Sequence, residues 1–146
     1  MAEFIFKDLA EKAGRGAEFF VASCATSSET VWNGKGSPVY APARAELAKH
    51  GISCEGKRAV QVKKADYAAY DYLLCMDERN VRNLLRILGG DPLGKVHRFM
   101  EPTARGGDVA DPWYTDRFDI TYRDVEEGCD AWLELLIPEA RREEGK

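Results

Sequence analysis

Residues 71–90 read DYLLCMDERNVRNLLRILGG and contain the clearest change from strand to helix in the chain. The apolar run over residues 71–76 predicts a buried strand. Asp77 directly after it is a residue type that caps helices. The helix that follows is predicted to end at Gly89-Gly90 and carries its apolar residues at helical spacing, namely Val81, Leu84, Leu85 and Leu88. A buried strand that leads into an amphipathic helix is the building unit of an α/β fold.

The rest of the chain repeats this alternation. Helices are predicted over residues 1–13 and 42–48, and a last one carries Val125, Cys129, Trp132, Leu133 and Leu136. Strands are predicted over residues 19–25 and 95–100, and loops over residues 26–40 and around Gly106-Gly107. The pattern predicts one three-layer α/β domain over residues 1–146, with a mainly parallel sheet flanked by helices. Ligands bind such folds beyond the carboxyl ends of the strands.

Composition and charge exclude several classes of function. The formal net charge of −4 argues against a general nucleic-acid binder, which needs a basic face. No apolar run is long enough to span a bilayer, and no signal peptide pattern is present. The four cysteines form no C-x-x-C pair and His50 lies far from His97, so neither a metal site nor a cofactor is expected. Unpaired cysteines of this kind are typical of a reducing, cytoplasmic setting.

Asp111 is the leading candidate for a catalytic residue. Pro112 restricts the backbone before it, and apolar neighbours can raise the pKa of a carboxyl group toward that of a general acid. Asp-Pro is also a common turn, so a purely structural role stays open. Trp113 and Tyr114 favour a binding wall beside Asp111, or one ring covers the core. Trp32, in a loop rich in glycine, is equally compatible with a ligand wall and a loop anchor.

Several segments together resemble the low-molecular-weight protein tyrosine phosphatases. They are Met1-Ala2-Glu3 at the start of a helix, Cys75-Met76-Asp77 after an apolar strand, Asp111-Pro112-Trp113-Tyr114, and the stretch from Trp32 through Pro42-Ala43 to Leu47 and Gly51-Ile52. The resemblance runs in order along nearly the whole chain. Each segment alone would be a weak signal, and the combination is specific.

The resemblance implies a mechanism and a substrate. Family members attack phosphorus with the cysteine of a C-x-x-x-x-x-R-S loop, which follows a strand and precedes a helix whose N-terminus binds phosphate. By the resemblance, Asp111 protonates the leaving tyrosine oxygen and then activates water. Trp32, Trp113 and Tyr114 correspond to the walls of the phosphotyrosine slot. The implied substrates are phosphotyrosine-containing proteins or small phosphate esters.

The departure from the family pattern concerns the nucleophile. No cysteine has an arginine six positions later, where Thr30, Val60, Val81 and Leu135 stand instead. The match begins at the methionine after the loop, so the strand and loop are expected to be missing. The expected cause is a misplaced start site or a shortened polypeptide, and the alternative is a natural fragment with another role. The chain as written is then expected to be inactive. An absent central strand is also expected to weaken the strand over residues 19–25 and to cause self-association through the exposed edge.

Three other functions remain open at this point. Arsenate reductases share the fold but need further reactive cysteines, and Cys54 has no evident partner. Protein-arginine phosphatases share it too, and their distinguishing position lies in the loop that this sequence does not contain. A non-catalytic binding module would use Trp32, Trp113 and Tyr114 as an aromatic surface. The two aromatic residues after Pro112 favour a flat phenolic substrate.

Overall fold

The computed structural model describes residues 1–26, 31–32, 35–36, 39–109 and 116–144, with the backbone alone for 31–32, 35–36 and 138–144. These residues form helices and short strands, with one 3-10 turn at Gly16–Glu18 after the first helix. The elements in chain order are α1 (Ala2–Lys12), β1 (Val31–Trp32), β2 (Lys35–Gly36), α2 (Ala41–Lys49), α3 (Ala65–Ala69), β3 (Leu73–Cys75), α4 (Glu78–Leu88), β4 (Val96–Arg98) and α5 (Phe118–Glu144). The α/β class predicted from the sequence is confirmed.

The parallel part of the sheet is formed by β3 and β4, whose register pairs Leu73 with Val96 and Cys75 with Arg98. The α4 crossover between them supplies the connection that parallel strands need. Two findings differ from the predicted loops. The antiparallel pair of β1 and β2 lies within the segment predicted as a loop over residues 26–40, and α3 occupies a stretch with no predicted helix.

The strand predicted over residues 19–25 is wrong for most of its length. The backbone of Phe19 is extended, but among the described residues only Ala25 pairs with another segment, through a parallel bridge to Gln61. Its amide donates to the Val60 carbonyl over 2.7 Å, and its carbonyl accepts from the Val62 amide over 2.8 Å. An extended segment becomes a strand only where a neighbouring strand accepts its ladder of hydrogen bonds. Among the described residues, no strand runs alongside residues 19–24.

The main core is formed where α1 and the long helix α5 pack together. Ile5 of α1 is 1% exposed, and Cys129 and Trp132 of α5 are 0% and 2% exposed. The Trp132 indole N–H donates to the carbonyl of Phe99 over 2.6 Å, so the large ring is buried with its polar atom bonded. Of the α5 residues predicted for the apolar stripe, Val125, Cys129, Trp132 and Leu133 are buried core residues, and Leu136 packs against them partly buried. The helix continues to Glu144.

A smaller core lies under α4. Leu84, Cys75 and Val62 form it, with Val81 and Leu88 packed against them. The predicted cap is confirmed, since the Asp77 carboxylate accepts from the Asn80 amide over 2.7 Å. Among the described residues, no helix combines the length and apolar character needed to cross a membrane.

Candidate functional site

The segment that follows β4 runs past the carboxyl end of β3 and is hydrogen-bonded to it. The Phe99 amide donates to the Cys75 carbonyl over 2.7 Å, and the Val109 amide donates to the Met76 carbonyl over 2.8 Å. Val109 is buried at 5% exposure, so this hydrogen bond is well shielded from water. The chain is thus fixed beside the end of β3 only two residues before Asp111.

The residues predicted from the sequence to form the site mostly lie outside the described part of the chain. Asp111, Trp113 and Tyr114 fall within residues 110–115, which the structure does not describe. The backbone of Trp32 belongs to β1, while its side chain is not described. The roles of these residues stay predictions. The structure describes the residues that precede and follow the segment 110–115 in the sequence.

A group of charged side chains lies at the ends of β3 and β4 and at Asp108, shortly before residues 110–115 in the sequence. Arg98, the last residue of β4, donates a hydrogen bond to the carboxylate of Glu78 in the first turn of α4. The same guanidinium lies 3.8 Å from the Asp108 carboxylate. All three side chains are partly exposed, at 42%, 47% and 46%, so the stability they contribute is small. Their effect is to link the ends of β3 and β4 to the chain that leads to Asp111.

The residues that follow residues 110–115 in the sequence form the start of α5. Asp116 has a φ of 56°, the left-handed conformation that Asp tolerates better than most residues. Arg117 then pairs with Asp119 in the first turn of the helix over 3.2 Å. The side chain of Asp119 also lies at the positive end of the helix dipole, which favours a negative charge there.

A second polar cluster lies at the N-terminal end of α1. The buried carboxylate of Glu3 accepts from Lys57 over 2.8 Å, from Lys7 over 2.9 Å and from the Ser23 hydroxyl over 2.8 Å. Burial by itself raises the pKa of this carboxyl, but the hydrogen bonds from Lys57, Lys7 and Ser23 outweigh it and lower the pKa to about 2. The cluster, called here the Glu3 cluster, joins α1 to two distant segments of the chain.

The Glu3 cluster borders a cavity of about 200 Å³ lined in part by Met1, Phe4 and Cys24. The N-terminus of an 11-residue helix presents the positive end of its dipole here. The sequence pattern placed Glu3 in the Met1-Ala2-Glu3 segment but gave no role to its side chain, and it pointed to neither Lys57 nor Arg98. The only local signal was the spacing of Glu3 and Lys7, which is that of an ion pair on a helix.

Three of the four cysteines are poorly suited to act as nucleophiles. Burial raises the pKa of Cys75 to about 11, and it raises the pKa of Cys129 further. Cys24 is exposed as a residue, yet desolvation of its thiol and the charge of Asp66 raise its pKa as well. An activated cysteine has a lowered pKa, so these three thiols show the opposite of what nucleophilic catalysis needs. Cys54 is buried in the main core.

A metal site has no support in the described ranges, where no three His, Cys, Asp or Glu side chains converge in a way that could hold an ion. His50 stacks on the ring of Tyr122 with centroids 3.7 Å apart, and His97 contacts Glu101 over 2.9 Å. The two histidines thus have separate structural partners.

Parallel strands flanked by helices, with charged side chains beyond their carboxyl ends, define the class of open-sheet α/β domains that bind ligands at that edge. Comparison with known proteins narrows the class. The sequence profile described as "Low molecular weight phosphotyrosine protein phosphatase" matches residues 1–142. The chain belongs to the low molecular weight phosphotyrosine protein phosphatase family, as the resemblance in the sequence indicated.

Individual relatives agree with this assignment. The low molecular weight protein-tyrosine-phosphatase YfkJ of Bacillus subtilis is 30% identical over 141 residues, which cover 95% of this chain and 88% of the relative. The crystal structure of YfkJ superimposes with a TM-score of 0.87 at 28% identity, covering 94% of this chain and 86% of that one. SP-PTP, a low molecular weight protein tyrosine phosphatase from Streptococcus pyogenes, gives a TM-score of 0.79 at 31% identity, covering 92% and 82%.

Proposed function

We propose that this chain forms the body of a phosphatase that hydrolyses protein phosphotyrosine, with Asp111 as its general acid and base. The observation that carries the proposal is the family match over residues 1–142, together with relatives named as protein-tyrosine-phosphatases. Trp32, Trp113 and Tyr114 form the walls that contact the phenyl ring of the substrate. The expected substrate is a phosphotyrosine-containing protein, and small aryl phosphates can replace it in assays.

The reaction has two steps, in which a cysteine thiolate is the nucleophile. The thiolate attacks phosphorus and forms a sulfur–phosphorus bond, while the bond to the tyrosine oxygen breaks and Asp111 gives its proton to that oxygen. Asp111, now a carboxylate, takes a proton from water as the water attacks the phosphocysteine. Inorganic phosphate leaves and the thiolate is regenerated.

The nucleophile in this proposal is not one of the four cysteines of the sequence. None of them precedes an arginine at the required spacing, and three have a raised pKa. The chemistry therefore requires a cysteine–arginine loop that these 146 residues do not contain. We expect the 146-residue polypeptide by itself to leave para-nitrophenyl phosphate intact at mildly acidic pH. Turnover that disappears on thiol alkylation would contradict this expectation.

The test of Asp111 uses the chain joined to a preceding strand and a C-x-x-x-x-x-R loop. Asp111→Ala in this form is expected to slow hydrolysis of a phenolic ester about 10²–10⁴-fold, the usual contribution of general acid catalysis. Asp116→Asn is the matched control, because it removes a nearby carboxylate and Asn also tolerates a positive φ. Equal rates for Asp111→Ala and the unchanged protein would make Asp111 a turn residue. A phosphoarginine substrate run in parallel tests the substrate preference.

Self-association is a second part of the proposal. Within the described part of the chain, β3 is paired with β4 only, so its other edge has no strand beside it. Unpaired strand edges favour pairing with another chain. Light scattering over a dilution series is expected to show a dimer or larger species at micromolar concentration, and a monomer throughout would contradict it.

The four free cysteines support a reducing, cytoplasmic location.

A further inference from the structure

Helix α4 has one face formed by arginines. Arg79, Arg82 and Arg86 are all exposed, and their spacing of three and four residues puts them on the same side of the helix. The opposite side carries Leu84, which is 4% exposed in the small core under α4. The three guanidinium groups therefore belong to a surface that the fold does not need for packing. This surface is called here the arginine face.

The part of the chain that the structure describes does not neutralise the arginine face. Among the described residues, Arg79, Arg82 and Arg86 make no ion pair, although the whole chain has 25 acidic and 21 basic residues. Glu78 has the spacing to pair with Arg82, but its carboxylate binds Arg98 instead. Like charges at this spacing destabilise a helix, so the face is unfavourable for the isolated chain. A negatively charged partner would remove that repulsion.

The position of the arginine face connects it to the proposed active site. Arg79 lies three residues after Met76, whose carbonyl accepts the amide of Val109 over 2.8 Å. Val109 in turn precedes Asp111 by two residues. The arginine face therefore begins at the carboxyl edge of the sheet and continues along α4 for about 10 Å, given the rise of a helix.

We infer that the arginine face is a docking surface for an acidic segment of a phosphotyrosine-containing protein substrate. This deepens the proposed function and rests on it. Arginine suits the task because its planar guanidinium binds carboxylates through two hydrogen bonds and keeps its charge at every physiological pH. With the phosphotyrosine at the carboxyl edge, acidic residues beside it in the substrate sequence lie along α4. Charge complementarity of this kind speeds encounter and selects among substrates.

Binding of a fluorescent acidic peptide without phosphotyrosine tests the surface directly. The triple variant Arg79→Gln, Arg82→Gln and Arg86→Gln is expected to weaken binding roughly 10-fold at low ionic strength, because exposed ion pairs contribute a few-fold each. The difference shrinks as salt is added. The matched control removes three exposed charges elsewhere through Arg44→Gln, Lys63→Gln and Arg123→Gln. It has the same net charge and is expected to stay within about 2-fold of the unchanged chain.

Equal binding by the triple variant and the control would overturn the inference. So would tighter binding of a single-stranded oligonucleotide than of a peptide with the same charge, since the face would then be a general polyanion site. Glutamine keeps helix propensity, so the triple variant is expected to fold. If its melting curve shows otherwise, Arg82→Gln alone replaces it, with an expected loss of about 2-fold against Arg123→Gln.

The catalytic consequence is measured in the form that carries a cysteine–arginine loop. The triple variant is expected to raise KM about 10-fold for a phosphotyrosine peptide with acidic flanks, while KM for para-nitrophenyl phosphate and kcat for both stay unchanged. A merely structural defect would lower the rate on both substrates. If no form of the protein hydrolyses phosphotyrosine, the proposed function fails, whereas the peptide-binding result still decides whether the arginine face docks acidic segments.

Discussion

The interface of α1 and α5 and the carboxyl edge of the sheet are organised by different kinds of interaction. The interface is apolar, with Ile5, Cys129 and Trp132 almost completely buried. The carboxyl edge depends on partly exposed charges, such as the pair of Arg98 and Glu78, and on single backbone hydrogen bonds. Burial of large apolar surfaces contributes far more to stability than exposed ion pairs do. The interface therefore holds the domain together, while the edge arranges segments around a site.

Among the substitutions that test this comparison, Trp132→Ala is expected to cause the largest loss of stability. The substitution removes a ring that is 2% exposed and leaves the Phe99 carbonyl without its donor. The free energy of unfolding is expected to fall by about 3–5 kcal/mol, measured by urea denaturation. Leu135→Ala on the same helix is the control, since Leu135 is 48% exposed. Similar losses for the two variants would mean that the interface is not the main core.

Glu3→Gln is expected to have the next largest effect, because it removes the charge at the centre of the Glu3 cluster. The pKa of about 2 in the folded chain, against 4.5 for the free side chain, corresponds to stability on the order of 2 kcal/mol once solvent screening of the partly exposed lysines is considered. Since the folded pKa is the lower one, this stability is present above pH 4.5 and is lost as the pH falls toward 2. Unfolding curves of both proteins should therefore differ at neutral pH and converge in acid.

The control for the Glu3 cluster is Glu127→Gln, which changes an exposed carboxylate on α5. Its stability is expected to match that of the unchanged chain within about 0.5 kcal/mol. A constant difference between Glu3→Gln and the unchanged chain across the acid range would show that packing, rather than charge, explains the cluster.

Gly128→Ala is expected to destabilise by about 2 kcal/mol, although alanine favours helices more than glycine. A Cβ atom at this position would lie 2.2 Å from the ring of Phe99, which is itself 2% exposed. The close approach of α5 to that ring thus requires a residue without a side chain. Thermal melts of Gly128→Ala with and without Phe99→Leu test the cause, since the smaller side chain should recover part of the loss. No recovery would point to another origin.

The smallest effect is expected from Asp77→Ala, at the carboxyl edge. The substitution removes the carboxylate that accepts from the Asn80 amide over 2.7 Å, and loss of such a cap costs about 1 kcal/mol. Asp77→Asn keeps an acceptor and should retain most of the stability. Denaturant midpoints distinguish the two variants. If Asp77→Ala exceeded Trp132→Ala in its effect, the proposed division between interface and edge would be reversed.

The sequence by itself determined the features that depend on local pattern. The spacing of Val125, Cys129, Trp132 and Leu133 identified the buried stripe of α5, because a helix brings residues at that spacing to one face. Asp77 and Gly89 identified the ends of α4, since a cap and a left-handed glycine act on adjacent residues. The segments that resemble the phosphatase family were also readable in order, and the comparison confirmed the family.

Only the tertiary structure decided which distant residues meet. Ser23 and Lys57 contact Glu3 although they lie 20 and 54 positions away in the sequence. Their local sequence does not predict these contacts. The bridge of Ala25 to Gln61 similarly replaces a strand that the apolar run over residues 19–25 predicts, because a strand depends on its neighbour as well as its own residues. Charges and sheet edges acquire partners through the path of the chain, whereas helix faces follow from spacing alone.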